Sequence, residues 1–361
     1  MRYISLFSGI EAATVAWEPL GWEPVCFAEL DPFPCAVLEH RYPDVPNVGD
    51  VTKVNWKRFK NKCDVVVGGS PCQSFSVAGK REGLSGESGL MFEYIRAVRE
   101  VRPRWFLWEN VPGALSSEGG EAFRQLLSEM DKLGYGLAWR VLDAQFFGVA
   151  QRRRRVFLVG RLGACPPVEV LFEPEGMRGD HPSSREKRKE LAAAAGAGAP
   201  KASTLVVRCG CKGGGKGALV SEELSMTLST SNTQTLVQEP LGFKYHQGSG
   251  AGSIGCEEGV SPTCTADYHN PAVDDDMCGS LKIGGSAPVV APQEAIVRRL
   301  MPMECERLQG FPDDWTRIPY RGKPAEECPD GPRYKAIGNS FAVPVVRWIG
   351  ERIAMADKEG E

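Results

Sequence analysis

Up to about residue 163 the chain repeats one local pattern: a short apolar run, a turn that carries glycine or an acid, and a stretch with helical periodicity. The apolar runs are rich in β-branched and aromatic residues, which suit buried strands. Strands that alternate with helices are typical of an α/β protein with a mostly parallel sheet. Ligands bind such sheets beyond the carboxyl ends of the strands, so the residues after each run are the first candidates for a site.

The pattern predicts where most elements of this sheet lie. We expect strands at residues 3–7, 25–29, 64–67, 104–111, 137–143 and 151–160, and a further strand that ends near residues 49–51. We expect helices at residues 90–98 and 121–133, a short helix that stops at Gly310, and a helix at the end of the chain.

One apolar run leads directly into a cysteine. Val65–Val67 is followed by Gly68, Gly69, Ser70, Pro71 and Cys72. Two glycines allow the chain to turn sharply, and Pro71 fixes the backbone before the thiol. A thiol presented at a strand end is a candidate nucleophile. It is equally a candidate core residue, the usual place of a free cysteine, and this stretch alone leaves both interpretations open.

Other strand ends carry residues with binding or acid–base chemistry. Gly9 is the single glycine in the turn after the first strand, whereas a dinucleotide fingerprint has three spaced glycines. This turn therefore does not complete that fingerprint. Glu29 follows the second strand at the spacing where an acid meets a ribose hydroxyl. Asp50 can accept a hydrogen bond from an exocyclic amine or cap a turn. Glu109, next to Trp108, is either a buried carboxyl with a raised pKa or a surface acid in an ion pair.

Composition limits the class of protein. The chain has 361 residues and a net charge of −3, which argues against a uniformly basic nucleic-acid-binding domain, although residues 152–155 are four consecutive arginines. No apolar stretch is long enough to span a membrane. The N-terminus does not resemble a signal peptide, and the 12 cysteines lack the spacing of a disulfide framework. We therefore expect a cytoplasmic protein without membrane contact.

The β/α pattern stops after residue 163. Residues 176–203 combine a charged run with alanine and glycine, which predicts a flexible linker, and residues 204–290 predict small strands and turns. We predict three parts: residues 1–162, 163–297 and 298–361, the last returning to the first. The cysteines in the second part do not have the spacing of a structural zinc site, and we predict no metal; they are Cys209, Cys211, Cys256 and Cys264.

A series of short motifs, in one order along the chain, resembles the DNA (cytosine-5)-methyltransferase family. They are Phe7-Ser8-Gly9, Glu29, Gly49-Asp50, Gly69-Ser70-Pro71-Cys72-Gln73, Leu90-Met91-Phe92-Glu93, Glu109-Asn110-Val111, Gln151-x-Arg153-x-Arg155, Arg299-Leu300, Arg307-Leu308-Gln309-Gly310-Phe311-Pro312 and Gly338-Asn339-Ser340. The stretch from Phe7 to Ala13 has fewer glycines than the family version. The resemblance implies a Rossmann-like fold that uses S-adenosylmethionine, with residues 163–297 as an irregular, β-rich target-recognition domain. The compact size resembles that of a bacterial, phage or prophage enzyme.

The resemblance also implies a reaction and its residues. Cys72 adds to carbon 6 of a cytosine that has been flipped out of duplex DNA, which makes carbon 5 nucleophilic. Glu109 protonates or hydrogen-bonds ring nitrogen 3, so it holds a proton near neutral pH. Arg153 and Arg155 orient the base and stabilise developing negative charge.

Cofactor and DNA contacts follow from the same resemblance. Phe7 packs on the adenine, Glu29 binds the ribose hydroxyls, and Asp50 binds the adenine amine. The other candidates for cofactor contacts are Ser8, Gly9, Pro71, Met91, Asn339 and Ser340, and those for DNA contacts are Gln73, Ser76 and Gln151. Residues 73–89 contain four glycines and four serines and are expected to close over the base as a lid.

We expect double-stranded DNA as the partner of a monomeric enzyme, and a cognate restriction endonuclease, if there is one, would be encoded separately. Three alternatives remain: an RNA cytosine methyltransferase, a catalytically silent relative and a Cys–His hydrolase. The long insertion disfavours the first, and the intact Cys72, Glu109 and arginine set disfavours the second. The hydrolase needs a positioned base, but all four histidines lie outside the motifs.

Overall fold

The computed structural model describes residues 1–70, 88–163, 166–172 and 300–358, and the backbone of nine short strands between residues 202 and 299. Pro71, Cys72, Gln73, Ser76 and most of the predicted lid therefore lie outside the described residues. None of the helices is both long and apolar enough to cross a membrane.

A six-stranded sheet forms the centre of the structure, with the strand order β2-β1-β3-β4-β6-β5. The strands are β1 Arg2–Leu6, β2 Glu23–Ala28, β3 Val65–Gly68, β4 Trp105–Asn110, β5 Tyr135–Asp143 and β6 Arg154–Leu162. The pairs among β1 to β4 are parallel, whereas β6 is antiparallel to both β4 and β5. The predicted mixed, mostly parallel sheet is confirmed.

Helices cover both faces of this sheet. They are α1 Ala12–Trp17, α2 Pro32–Arg41, α3 Ser88–Val101, α4 Glu121–Lys132, α5 Val168–Leu171, α6 Pro302–Gln309, α7 Asp330–Asn339 and α8 Val343–Lys358. Val65 and Val67 pack into the core on one face, and Val66 packs into the core on the other. Because both faces are buried, the strands are continuously apolar and do not alternate with polar residues.

The end of the chain packs beside its beginning. The indole Nε1 of Trp17 in α1 donates a hydrogen bond of 2.9 Å to the carbonyl of Val346 in α8. A methyl group at Gly350 would lie 2.3 Å from the same Nε1, so the two helices approach as closely as a glycine permits. Gly310 ends α6 with a φ of 82°, as predicted.

The strand expected near residues 49–51 does not form. Gly49 has a φ of 72°, and the Asp50 carboxylate accepts a 2.9 Å hydrogen bond from the Thr52 backbone N–H. These features turn the chain, and the segment pairs with β2 only at a bridge between Phe27 and Asn47 in the described structure. The strand prediction was wrong because an apolar residue after Gly-Asp does not by itself make a strand.

Small antiparallel sheets occupy the region expected to contain short strands and turns. Their strands are β7 Ala202–Val206, β8 Leu219–Glu222, β9 Gln234–Gln238, β10 Phe243–His246, β11 Ser253–Cys256, β12 Thr263–Ala266, β13 Pro271–Asp274, β14 Val289–Val290 and β15 Ile296–Arg299. β15, β9, β7 and β8 form one sheet, and β10–β11 and β13-β12-β14 form two others. The boundaries of the three predicted parts remain predictions.

Candidate active site

A cleft of about 1060 Å³ opens at the carboxyl ends of β1 to β4. Eight of the residues predicted from the sequence line it: Phe7, Gly9, Glu29, Asp50, Glu109, Arg153, Arg155 and Asn339. Strands that are far apart in the chain contribute these side chains because their ends meet at one edge of the sheet. The cleft is therefore the candidate active site.

The loop after β1 is tied to the end of β2. The Glu29 carboxylate accepts a 2.7 Å hydrogen bond from the Gly9 N–H at one oxygen. At its other oxygen it accepts hydrogen bonds of 2.8 Å from the N–H groups of Leu30 and Asp31. Glu29 thus positions the loop as well as lining the cleft. The Ser8 hydroxyl connects β1 to β2 through Ser5 and Ala28, so Ser8 is a structural link and does not line the cleft.

Asp50 caps a turn, one of the two roles that the sequence left open, and the other role, a hydrogen bond from an amine, remains a prediction. Its side chain lines the cleft, and one oxygen accepts hydrogen bonds from the backbone and hydroxyl groups of Thr52, at 2.9 and 2.7 Å. These hydrogen bonds lower the pKa of Asp50, so the carboxylate stays charged. The same contacts fix the side chain at the mouth of the cleft.

Close packing explains the two glycines before the cysteine. Neither Gly68 nor Gly69 has the left-handed conformation expected of a sharp glycine turn. A methyl group at position 68 would lie 2.6 Å from the carbonyl oxygen of Leu6. At position 69 it would lie 3.1 Å from Glu109 Oε2. The glycines therefore let this segment lie against β1 and against Glu109.

Two side chains of strand β4 bond Ser70, which lies two positions before Cys72. The Trp108 indole N–H donates to the Ser70 hydroxyl at 3.2 Å, and the Asn110 amide donates to the Ser70 carbonyl at 3.2 Å. Ser70 is 4% exposed. These contacts fix where the chain enters the stretch that contains Cys72. Sequence reasoning assigned no role to Asn110, although its motif includes the residue.

Glu109 is a buried acid beside two arginines. It is 8% exposed, and its Oε1 lies 3.2 Å from Nε of Arg155. Burial raises the pKa of Glu109, while the charges of Arg155 and then Arg153 oppose the rise. The buried, raised-pKa interpretation is thus the correct one of the two that the sequence allowed, with an arginine partner in addition.

Arg153 joins the start of β6 to the C-terminal segment. Its guanidinium donates to the carbonyls of Gly338 at 3.2 Å and Ser340 at 2.6 Å. Burial, together with the charge of Arg155, lowers the pKa of Arg153 to about 9. The Ser340 side of this contact is a backbone carbonyl, and Ser340 itself is buried and off the cleft wall.

The motif match extends along the whole chain. The model of the C-5 cytosine-specific DNA methylase family matches residues 1–197 and 227–355. The chain belongs to this family. It is a methyltransferase, and the family uses S-adenosylmethionine as its methyl donor.

Related proteins cover most of this methylase. It is 36% identical to a phage P1 protein named DNA N-6-adenine-methyltransferase, over 99% of this chain and 62% of that protein. It is 32% identical to the Type II methyltransferase M2.BsuMI of Bacillus subtilis (strain 168), over 100% of this chain and 78% of that protein. It is 30% identical to the Type II methyltransferase M.FnuDI of Fusobacterium nucleatum, over 99% and 96%.

Two solved structures have the same fold. Dnmt2 methyltransferase of S. pombe superposes with a TM-score of 0.57 at 16% identity, over 99% of both chains. A DNMT2 variant of Spodoptera frugiperda superposes with a TM-score of 0.57 at 17% identity, over 98% of the methylase and 99% of that chain. At this identity the comparison establishes the fold alone.

Two predicted residues of the methylase lie away from the cleft. Met91 is 1% exposed in the core between the sheet and α3, and its neighbour Leu90 lines the cleft instead. Gln151 is 0% exposed and donates a 3.3 Å hydrogen bond to the Leu308 carbonyl. We therefore assign Leu90 to the cleft wall in place of Met91, and a structural contact to Gln151 in place of a DNA contact.

Sequence reasoning also missed residues on the far wall of the cleft. Lys335 of α7 forms an ion pair with Asp31 at the start of α2. Phe33 packs edge-on against Tyr320, with ring centroids 5.0 Å apart. All four line the cleft. These contacts join segments about 300 residues apart in the chain. The local sequence pattern therefore does not indicate them, and only the fold reveals them.

The four arginines of residues 152–155 divide between two clefts. Arg153 and Arg155 line the candidate active site, and Arg152 and Arg154 line a second cleft of about 900 Å³. Within the described residues, no group of three or more His, Cys, Asp or Glu side chains is placed to hold a metal ion. Cys209 and Cys211 lie outside those residues.

Proposed function

We propose that this methylase transfers the methyl group of S-adenosylmethionine to carbon 5 of a cytosine flipped out of duplex DNA. The observation that carries the proposal is the position of Glu109. Its buried carboxyl lies beside Arg155 and Gly69, in the cleft that Phe7, Glu29 and Asp50 also line. An acid with a raised pKa next to the segment that leads to Cys72 is what protonation of a cytosine ring requires.

Cys72 is the proposed nucleophile. Its thiolate forms a bond to carbon 6 of the cytosine, and the ring electrons that this displaces make carbon 5 nucleophilic. S-adenosylmethionine supplies an electrophilic methyl group for carbon 5 to attack. Loss of the carbon 5 proton then breaks the bond from sulfur to carbon 6 and regenerates the thiolate. The products are 5-methylcytosine, S-adenosylhomocysteine and a proton.

Glu109 and the two arginines act on the ring of the base. A protonated Glu109 donates a hydrogen bond or a proton to ring nitrogen 3, which withdraws electrons from carbon 6 during thiolate attack. Arg155, 3.2 Å from the carboxyl, stabilises the carboxylate once the proton has moved. Arg153 is held by two backbone carbonyls and gives the site a fixed positive charge.

The cleft walls fit an adenosine-containing methyl donor. The Phe7 ring offers an apolar face for the adenine, and the Asp50 carboxylate an acceptor for its amine. The Glu29 carboxylate already accepts backbone hydrogen bonds, and carboxylate oxygens can accept further ones from ribose hydroxyls. Asn339 extends the polar wall from α7. These residues would hold the donor.

The substrate, the oligomeric state and the biological role of the enzyme are also part of the proposal. We expect double-stranded DNA as the substrate, a monomeric enzyme and a role in restriction–modification or in protection of phage or prophage DNA. Two of the relatives are named Type II methyltransferases. Five cysteines of the described structure are free, in keeping with a reducing cytoplasm: Cys26, Cys35, Cys63, Cys305 and Cys328. Any cognate restriction endonuclease would be a separate protein.

Nucleoside analysis tests the reaction and its target together. The chain is expressed in a host that lacks cytosine-5 and adenine methylation, and DNA and RNA are digested and quantified by mass spectrometry. We expect 5-methyldeoxycytidine in DNA from the wild type, none with Cys72→Ala, and an undiminished amount with Cys63→Ala, a matched control in the core. N6-methyladenine alone would support the chemistry named for the phage P1 relative. 5-Methylcytidine confined to RNA would support the RNA alternative. Either result overturns the proposal.

A further inference from the structure

The loop that contributes Phe7 and Gly9 to the cleft has an unusual backbone. Phe7, Gly9 and Glu11 have φ angles of 53°, 57° and 65°. Residues other than glycine avoid this left-handed region, because their Cβ crowds the following carbonyl. Glu11 thus occupies a conformation suited to glycine, in a stretch with fewer glycines than the family it resembles. Some other contact must stabilise the loop.

The Glu11 side chain makes that contact. Glu11 is 1% exposed, and its Oε1 accepts hydrogen bonds of 3.1 Å from both the backbone N–H and the hydroxyl of Thr14. The Thr14 hydroxyl lies 2.6 Å from the Tyr3 hydroxyl of β1. The Glu11 backbone N–H donates to the Ser8 carbonyl at 3.0 Å. The buried carboxyl group of Glu11 therefore caps α1 and, through Thr14, connects it to β1. The backbone N–H of Glu11 closes the loop.

The other half of this carboxyl is less firmly held. Glu11 Oε2 and the Tyr42 hydroxyl oxygen are buried without a partner at full hydrogen-bond geometry in the described structure, although Ser5 and Thr14 are near enough to lower the pKa of Glu11 and Tyr42, respectively. Burial raises the pKa of Tyr42, and the nearby Glu11 charge adds to the rise. Buried oxygens without partners are rare, and such groups are typical of sites where a proton or a contact changes during function.

We infer that Glu11 is a positioning residue for the methyl donor: its buried carboxyl group holds the loop of residues 7–10 in the conformation that places Phe7 and Gly9 in the cleft. The inference rests on the proposed function of that cleft. Glu11 does not itself line the cleft. Its carboxyl group acts through Thr14, which it bonds at two groups and which contacts Tyr3 of β1, so its loss weakens donor binding without removing a donor contact.

The charge state of this carboxyl changes near neutral pH. Burial raises the pKa of Glu11 to about 7; the side chains of Ser5 and Thr14 oppose the rise, and the Glu29 charge adds to it. Glu18 faces the same group of side chains, and the pKa values of Tyr3 and Tyr42 are raised, so both tyrosines remain neutral. Because burial outweighs the hydrogen bonds from Thr14, the ordered loop favours the neutral acid, and ionisation as pH rises through this value weakens the ordered conformation. The loop is therefore held more firmly below pH 7.

Donor binding as a function of pH tests the inference. Dissociation constants are measured by calorimetry on the full chain at pH 6 and pH 8, with S-adenosylmethionine and with 5′-methylthioadenosine, which has no group that titrates in this range. We expect the wild type to bind both compounds about three- to tenfold more tightly at pH 6 than at pH 8, since a tenfold change corresponds to one unit of linked pKa shift. Glu11→Gln should bind with the same affinity at both pH values. Glu18→Gln, an exposed acid at the end of α1, is the matched control and should behave as the wild type.

A second variant tests the positioning role independently of charge. Glu11→Gly suits the left-handed backbone but removes the cap, and it should weaken donor binding about tenfold or more at pH 6. Wild-type affinity in Glu11→Gly, or wild-type pH dependence in Glu11→Gln, would overturn the inference. If Glu11→Gly fails to fold by circular dichroism, the Glu11→Gln result decides. A wild type that binds neither compound would instead contradict the proposed function.

Discussion

The Nε of Arg155 lies 3.2 Å from Oε1 of Glu109, at the base of a cleft formed by strand ends. Burial raises the pKa of the Glu109 carboxyl, and the arginine charge limits that rise. A group with a raised pKa keeps its proton to higher pH than an ordinary glutamate, and it loses that proton as pH rises through the shifted value. Glu109 therefore keeps its proton at low pH and loses it as pH rises, and the charge of Arg155 lowers the pH at which this happens.

The first prediction concerns this pH dependence. The single-turnover rate at saturating donor and DNA should fall on the alkaline side as Glu109 loses its proton. In Arg155→Met, the charge that lowers the Glu109 pKa is absent. The decline of the rate at high pH, the alkaline limb of the profile, should therefore move to higher pH even though the overall rate falls. In Glu109→Gln the limb should disappear. If the rate declines at the same pH in Arg155→Met and in the wild type, a group other than Glu109 causes the decline.

Gly69 gives a second prediction, about packing. A methyl group at this position would lie 3.1 Å from Glu109 Oε2 and 3.1 Å from Cε1 of Phe341. Because both neighbours are held in place, Gly69→Ala should displace Glu109 and reduce the methylation rate at least tenfold. Overpacking of this kind lowers the free energy of unfolding by about 1–3 kcal/mol.

Gly89→Ala is the matched control for that substitution. Gly89 lies in α3, and a methyl group there meets nothing within 4 Å. It should leave the free energy of unfolding equal or slightly higher, because alanine favours a helix. An equal free energy of unfolding in the two variants would show that the close approach at Gly69 is unimportant.

Arg153 provides a third prediction, about stability. Its guanidinium donates to the carbonyls of Gly338 and Ser340, both in the C-terminal segment. Arg153→Met leaves these two buried acceptors without a donor, so the free energy of unfolding should fall by about 2–4 kcal/mol. Arg154→Met, on the exposed neighbour, should change it by less than about 0.5 kcal/mol. Denaturant titrations measure both, and an equal small effect would argue against the anchoring role.

The sequence predicted the sheet well because its strands are buried on both faces. Runs such as Val65–Val67 are continuously apolar and can hardly be surface elements. It failed at residues 49–51, where the Asp50 side chain turns the chain. It did not predict the close packing at Gly68 and Gly69, because the carbonyl and the carboxyl that crowd them come from distant strands.

Site residues were predictable where a strand end fixes the direction of a side chain. Glu29 and Glu109 are of this kind. Met91 was misplaced by one residue, because the register of α3 against the cleft is set by packing, and Leu90 faces the cleft instead. The buried role of Gln151 depends on α6, about 150 residues later in the chain. Such contacts follow from topology, which local pattern does not encode.

The most direct test of the account is covalent capture of Cys72 on a cytosine that cannot complete the reaction. Bisulfite sequencing first gives the target sequence, and a duplex is then made with 5-fluorocytosine at the methylated position. Because fluorine cannot leave as a proton does, the bond from sulfur to carbon 6 cannot be broken after methyl transfer. With S-adenosylmethionine, the wild type should form a denaturant-stable complex whose mass is the sum of protein, DNA strand and one methyl group, and Cys72→Ser should form none. A stable complex in Cys72→Ser, or a crosslinked peptide that does not contain Cys72, would contradict the account.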